Sequence, residues 1–328
     1  MTAQAQRRWA RTVGGAVVLL ALLLHLGTQG VSTALHGLDV GVLVAGAALA
    51  AVTTVVAAWR WRVVAGRLGV PLSMPSAVAA CYRAQFLNVT LPAGVLGDVD
   101  RAVHHGRLVD DVGRALRAVA WERTAGQVVL AGVTLTALAA GGSFTALPLV
   151  VAGGAFVAVG VTALARWSSF GRVVVDDARR LSSPSAVLRI AAASLVVVGG
   201  HVVTFTLAAR AVGVRMPLAD VAPLALLVLV AAGIPLNLAG WGPREGVAAW
   251  AFAASGSTAS QGLAVAVAFG VIVLVGTLPG AALLLVARSR RPARTVPTAP
   301  TAPTVSLASA DAAAPATFGA DARREVVA

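Results

Sequence analysis

The chain has 328 residues, 58% hydrophobic and 12% charged, with a mean hydropathy of +0.84. That charged share is about half the usual globular value, which excludes an ordinary soluble domain. The net charge is +13, and the basic residues are all arginines lying mostly between apolar runs. They therefore set topology and do not predict nucleic-acid binding.

Windows at residues 13–28, 40–58, 119–140, 144–165, 186–209, 221–238 and 263–287 are apolar at close to spanning length. About 20 such residues cross a hydrocarbon core. Arg7, Arg8 and Arg11 precede the first run. A basic start followed by an apolar stretch also describes a signal peptide. The run is long and no clean small-x-small cleavage site follows, so it reads as a first span with the N-terminus inside. The second span returns to Trp59, Arg60, Trp61, Arg62 and Arg67. Alternating Trp and Arg suits an interfacial anchor on the positive side.

Residues 82–101 are too polar and too interrupted for a full span, and His104, His105, Arg107, Arg114 and Arg117 follow them. Basic flanks on both sides predict that this piece enters and leaves on the cytoplasmic face. Span three, 119–140, runs outward. Span four, 144–165, returns to the most basic loop, with Arg166, Arg172, Arg179, Arg180 and Arg189. Span five runs outward through residues 191–209, and a second interrupted stretch, 235–246, dips in from outside. The last span, 263–287, ends inside at Arg288, Arg290, Arg291 and Arg294. The prediction is an all-α polytopic membrane protein in the cell membrane. It has about six full spans, two re-entrant broken-helix elements and both termini in the cytoplasm. Residues 1–294 form the membrane domain. Residues 295–328 are rich in Pro, Ala and Thr, cannot bury a core and are expected to be disordered.

The order span, span, interrupted piece, span occurs twice. An odd number of full spans per half inverts the second copy. Inverted repeats with paired broken helices point to a transport site near the midplane. The residue-level echo, Leu91 to Asp98 against Leu238 to Glu245, is faint.

The charged residues inside these elements are the candidates for function. A lone charge at bilayer centre costs roughly 2.5–3.5 kcal/mol on insertion scales, so such residues face a cavity or a partner. Asn88, Pro92, Gly94, Gly97, Asp98 and Arg101 form one cluster. Pro92, Gly94 and Gly97 break the helix, and freed amides at a helix start can hold an anion. Arg101 lies three residues after Asp98, on the same helical face. Glu122 and Arg123 sit early in the third span and are expected to face protein. Arg244 and Glu245 lie among the helix breakers Pro235, Gly240, Gly242 and Pro243, with Asn237 nearby. Against these readings stand an ordinary external loop for Arg244 and Glu245, a structural ion pair for Asp98 and Arg101, and an interfacial pair for Glu122 and Arg123.

His201, His25 and Cys81 read as packing residues. Cys81 is the sole cysteine, which excludes an internal disulfide and a cysteine-built metal site. His104 and His105 are adjacent and cannot share a helix face, so no metal site is expected there. Asp98-Val99-Asp100 imitates the metal-binding Asp-x-Asp of some glycosyltransferases. No cofactor loop and no nucleophile motif stand out, so no cofactor is expected.

At three of these stretches the chain resembles the flippase-like membrane family named after the transmembrane region of lysylphosphatidylglycerol synthase. Asn88, Leu91, Pro92, Gly97, Asp98 and Arg101 match one family motif; Glu122, Arg123 and Gly126 match a second. Pro235, Gly240, Gly242, Arg244 and Glu245 match a third. The likeness spans roughly residues 12–290. Leu96 replaces a family Gly, Asn237 a Ser and Ala239 a Gly, and Pro243 precedes Arg244, so the substrate can differ. The resemblance implies translocation of an anionic or phosphate-bearing lipid between leaflets, of the aminoacyl-phospholipid or polyprenyl-linked glycan type. The soluble aminoacyl-transferase domain of true synthases is not seen in the sequence, so no synthase activity is expected. Rival readings are a membrane-embedded glycosyl or phosphoryl transferase using Asp98 and Asp100, and a non-catalytic accessory subunit. Enzymes of cell-envelope biosynthesis would be the protein partners.

Overall fold

A computed structural model of the chain describes residues 34, 36–91, 94–140, 168–233 and 242–289. The expected first span, the fourth span and the tail lie outside the described residues, as do Pro92, Pro235, Asn237 and Gly240. Among the described residues there are nine helices of at least 12 residues and no strand. They are α1 (Val40–Arg67), α2 (Met74–Thr90), α3 (Leu96–Leu108), α4 (Val112–Ala140), α5 (Ser168–Leu181), α6 (Pro184–Ala211), α7 (Leu218–Ala232), α8 (Pro243–Ala254) and α9 (Ala259–Ser289).

Local chemistry sets the helix ends. Asp39 caps α1 by accepting from Val42 N–H at 2.8 Å, a contact worth about 1 kcal/mol. Gly69, at φ 78°, closes the same helix. Val70 N–H reaches back to Ala65 O at 2.9 Å, and Gly69 N–H to Gly66 O at 3.2 Å. This pair of bonds satisfies carbonyls that the helix end leaves unpaired, and it needs a left-handed residue that glycine supplies without strain. Four helices, α1, α4, α6 and α9, are long and apolar enough to cross a membrane; α7 is apolar but has only 15 residues. Large side chains such as Val44, Leu188, Leu195 and Leu285 point outward from these spans, more than half exposed. An apolar solvent is what makes that arrangement stable.

The helix series repeats. Lengths of 28, 17, 13 and 29 residues in α1–α4 recur as 28, 15, 12 and 31 in α6–α9. The closing motif of α1 recurs at the end of α6, where Val214 N–H bonds Ala209 O at 2.9 Å past Gly213. It recurs again at the ends of α3 and α8, past Asp110 and Gly256, the two remaining left-handed turns of this type. Packing follows the same rule. The first helices of the two series, α1 and α6, pack on each other. Within the short pairs, α3 and α8 each pack on the long helix that follows, whereas α2 and α7 pack on the last long helix of the other series. Trp61, Val64, Leu68 and Ala77 centre one core, built mainly from α1–α4 with Ile190 of α6. Phe205, Phe252, Phe269 and Ile272 centre the other, built mainly from α6–α9 with Leu138 of α4.

Small residues let the broken elements sit close. A Cβ at Gly97 would lie 2.0 Å from Ala84 O, and one at Gly280 would lie 2.2 Å from Tyr82 O. Both obstacles are backbone, which cannot swing aside. Gly97→Ala should therefore lower stability by about 1–3 kcal/mol, the usual range for overpacking. Gly132→Ala on α4, with nothing within 4 Å, should leave the melting temperature unchanged or slightly raised. Thermal unfolding of the two purified variants beside wild type checks the pair.

Candidate functional site

The residues singled out from the first two motifs converge on one buried ion network. Glu122, on α4 and 2% exposed, is its centre. Its Oε1 accepts from Arg60 Nε at 2.9 Å, and its Oε2 accepts from Arg101 Nη2 at 2.7 Å. Arg101 also donates from Nε to Asp98 Oδ1 at 2.9 Å, the i, i+3 pair read from sequence. Asp98 Oδ2 in turn pairs with Arg123. Glu122 and Arg123 thus do not pair with each other. Adjacent helical residues point about 100° apart, so Glu122 meets Arg60 of α1 and Arg101 of α3, while Arg123 meets Asp98 of α3.

Asn88, near the end of α2, ties the break together. Its Oδ1 accepts from Gly97 N–H at 2.8 Å, and its Nδ2 donates to Asp98 Oδ2 at 3.0 Å. One side chain therefore holds both an amide at the start of α3 and the carboxylate beside it. Gly94, at φ 60°, makes the turn between the two helices. Arg101 lies over the Trp61 ring at 4.8 Å and within 3.5 Å of Cys81 Sγ, so Cys81 packs in the network's wall.

Arg60 corrects the sequence reading. The interfacial anchor expected over residues 59–62 is split between two faces of α1. Trp59 and Arg62 are exposed, whereas Trp61 is fully buried and Arg60 is 7% exposed. Arg60 also donates to Ser194 on α6 at 2.8 Å. The available signal was indirect: a charge at membrane depth such as Glu122 calls for a partner, and Arg60 is a cation on another apolar helix.

The second broken element uses the same devices. Gly242, at φ 133°, precedes Pro243 at the first position of α8. Proline there loses no hydrogen bond, because that N–H is unpaired in any helix. Glu245, 1% exposed, accepts from Gly242 N–H at 2.7 Å and from Arg244 Nε at 2.8 Å. A carboxylate in the first turn also suits the helix dipole. Arg244 lies 5.7 Å from the centre of the Phe269 ring, and Gly270 leaves it room: a Cβ there would come within 2.5 Å of Nη2. Arg244 is thus packed against α9 and paired with Glu245, unlike a residue of a solvated loop.

Both elements open on one cavity of about 530 Å³, walled by helices of both series. Arg60, Arg101, Arg123 and Arg244 line it, with Asp98, Glu122, Asn88, Gln85, Gln127 and His201. Gln85 and Gln127 were not read from sequence, since a lone amide on an apolar helix carries no spacing signal. Gln85 accepts from Thr54 at 3.0 Å, and Gln127 sits against Gly233. His201 packs edge-on to Phe269, as a packing residue does. His105 is buried and bonds Val70 O at 3.0 Å. Asp98 and Asp100 do not converge: Asp98 is 8% exposed within the network and Asp100 is exposed on another face of α3. An Asp-x-Asp metal clamp needs both carboxylates on one ion.

Helices long and apolar enough to span, carrying a buried charge network around an internal cavity, define a membrane protein with several apolar helices. The family model described as the lysylphosphatidylglycerol synthase TM region matches residues 9–280, and the chain belongs to that family. No curated protein and no solved structure matches it. Family and cavity together connect the protein with membrane lipid.

Proposed function

We propose that the protein moves an anionic, phosphate-bearing lipid between leaflets, its headgroup passing through the central cavity. One observation carries the reading. Four guanidinium groups line the cavity, while the network around them supplies three carboxylates, Asp98, Glu122 and Glu245. One positive charge remains over, in a space of headgroup size among spanning helices. Charge at membrane depth faces a cavity because its ligand does.

The residues divide by exposure. Arg60, Arg101 and Glu122 are almost fully buried and hold the frame. Arg123 leaves 47% of its side chain exposed, so its guanidinium can turn toward a phosphate, and Arg244, 12% exposed, meets the cavity from the second broken element. Asn88, Asp98 and Glu245 set their positions, and Asn237 belongs to the same motif as Arg244. Guanidinium forks bind phosphate bidentately. The two broken elements act as re-entrant pieces of an inverted repeat, a reading supported by matched helix lengths, end motifs and exchanged packing partners. Aminoacyl-phospholipids and polyprenyl-linked glycans fit the headgroup chemistry, and enzymes that make such lipids are the expected partners.

The test is a comparison of outer-leaflet lipids in cells with and without the protein. One anionic lipid class should fall in the outer leaflet and build up in the inner one. Identical leaflet compositions would remove the proposal. Arginine asymmetry further supports a topology with both termini in the cytoplasm. On a Cys81→Ser background, a cysteine at Thr298 should resist an impermeant thiol reagent added outside. Ready labelling from outside would reverse the topology.

A further inference from the structure

We infer a second lipid site outside the cavity, where the end of α1 meets the start of α6, that holds the phosphate of an anionic phospholipid. Trp59, Arg62, Val63, Gly66 and Arg67 recur on α1 at spacings of three and four, which places them on one face. With Pro71, Leu72 and, from α6, Arg189 they border a groove of about 500 Å³. Arg67 donates to Ser185 Oγ at 3.3 Å and so joins the two helices at the groove's edge.

The charge is unlike that of the cavity. Each cavity arginine has a carboxylate partner. Among the described residues, Arg62, Arg67 and Arg189 have none, and no acidic residue borders the groove. Three unneutralised cations around one groove repel each other, and a bound anion reverses the sign of that interaction. Basic pockets between helices at a membrane surface take up phospholipid headgroups in this way.

The apolar residues select a lipid over free phosphate. Val52 and Val55 continue the Trp59 face along α1 and are 55% and 44% exposed. This outward stripe runs directly into the arginines, so acyl chains lie along it while the phosphate meets Arg62, Arg67 and Arg189. Trp59 sits between the two zones, where an indole is at home. Gly66 keeps the groove open: a Cβ there meets nothing within 4 Å, so a larger side chain enters the groove and not the protein.

The test is native mass spectrometry of the full chain titrated with phosphatidylglycerol, with phosphatidylcholine, and with phosphatidylglycerol competed by inorganic phosphate. Wild type should retain one more phosphatidylglycerol than R62Q/R67Q/R189Q, with affinity for that lipid roughly ten-fold or more higher, as expected for charge-assisted bonds. Gly66→Leu keeps the charges and favours the helix, and should lose the same lipid. Thermal melts should be unchanged in both variants, whose altered side chains are exposed. Equal retention by wild type and either folded variant overturns the site. Equal retention of phosphatidylcholine shows an ordinary annular contact and overturns it too. Complete displacement by millimolar phosphate makes the ligand free phosphate and overturns the lipid assignment.

Discussion

Glu122→Ala should cost about 3–5 kcal/mol of stability, the range for breaking a buried ion pair by removing one partner. Glu122 is the carboxylate shared by Arg60 and Arg101, and all three side chains are under 10% exposed. Without it, Arg60 keeps Ser194 as its remaining polar contact, and Arg101 must share Asp98 with Arg123. Glu122→Gln keeps the shape and one acceptor but not the charge, so it should fall between wild type and the alanine variant. Arg60→Leu combined with Glu122→Leu removes both charges of the pair and should be less damaging than Glu122→Ala alone. The exposed pair Arg179–Asp176 is the contrast: Asp176→Asn should not shift the melt measurably, since such pairs contribute about 0–1 kcal/mol. Thermal melts in one detergent order the four variants. A melt of Glu122→Ala equal to wild type would remove the network's structural role.

Arg244→Lys should slow lipid movement roughly ten-fold or more while the protein stays folded. Lysine keeps the charge but loses the planar fork, and hydrogen bonds to charged groups contribute about 1.5–3 kcal/mol each. It also loses the flat contact with Phe269. Stability separates the two roles of the pair. Arg244→Ala leaves the carboxylate of Glu245, 1% exposed, without its cation. Glu245→Ala strips the start of α8 of its acceptor as well. Removing both charges should therefore hurt folding less than removing Glu245 alone, yet transport should be absent. A double variant that moves lipid would show that this pair only caps a helix.

Much of the frame was legible because its causes are local. Proline and glycine marked both breaks, and the three-residue spacing of Asp98 and Arg101 predicted their contact. The network itself was not legible. Arg60 and Glu122 are 62 residues apart, and Arg60 and Ser194 are 134 apart. No local pattern distinguishes an arginine turned inward from one anchored at the surface, and Trp59-Arg60-Trp61-Arg62 holds one of each. The repeat was visible as an order of elements but not as identities. What the two series share is helix length and the way helices end, and Asp110 does in one what Gly256 does in the other. Backbone conformation is thus retained where residue identity is not.

The most direct measurement is leaflet-resolved movement of a labelled anionic phospholipid in proteoliposomes holding wild type or folded Arg244→Ala. Wild type should expose the inner-leaflet label to an external quencher faster than protein-free vesicles do, and a zwitterionic analogue should move more slowly. Folded Arg244→Ala should match the protein-free rate. Movement at the wild-type rate by folded Arg244→Ala would contradict the account and place the lipid path elsewhere.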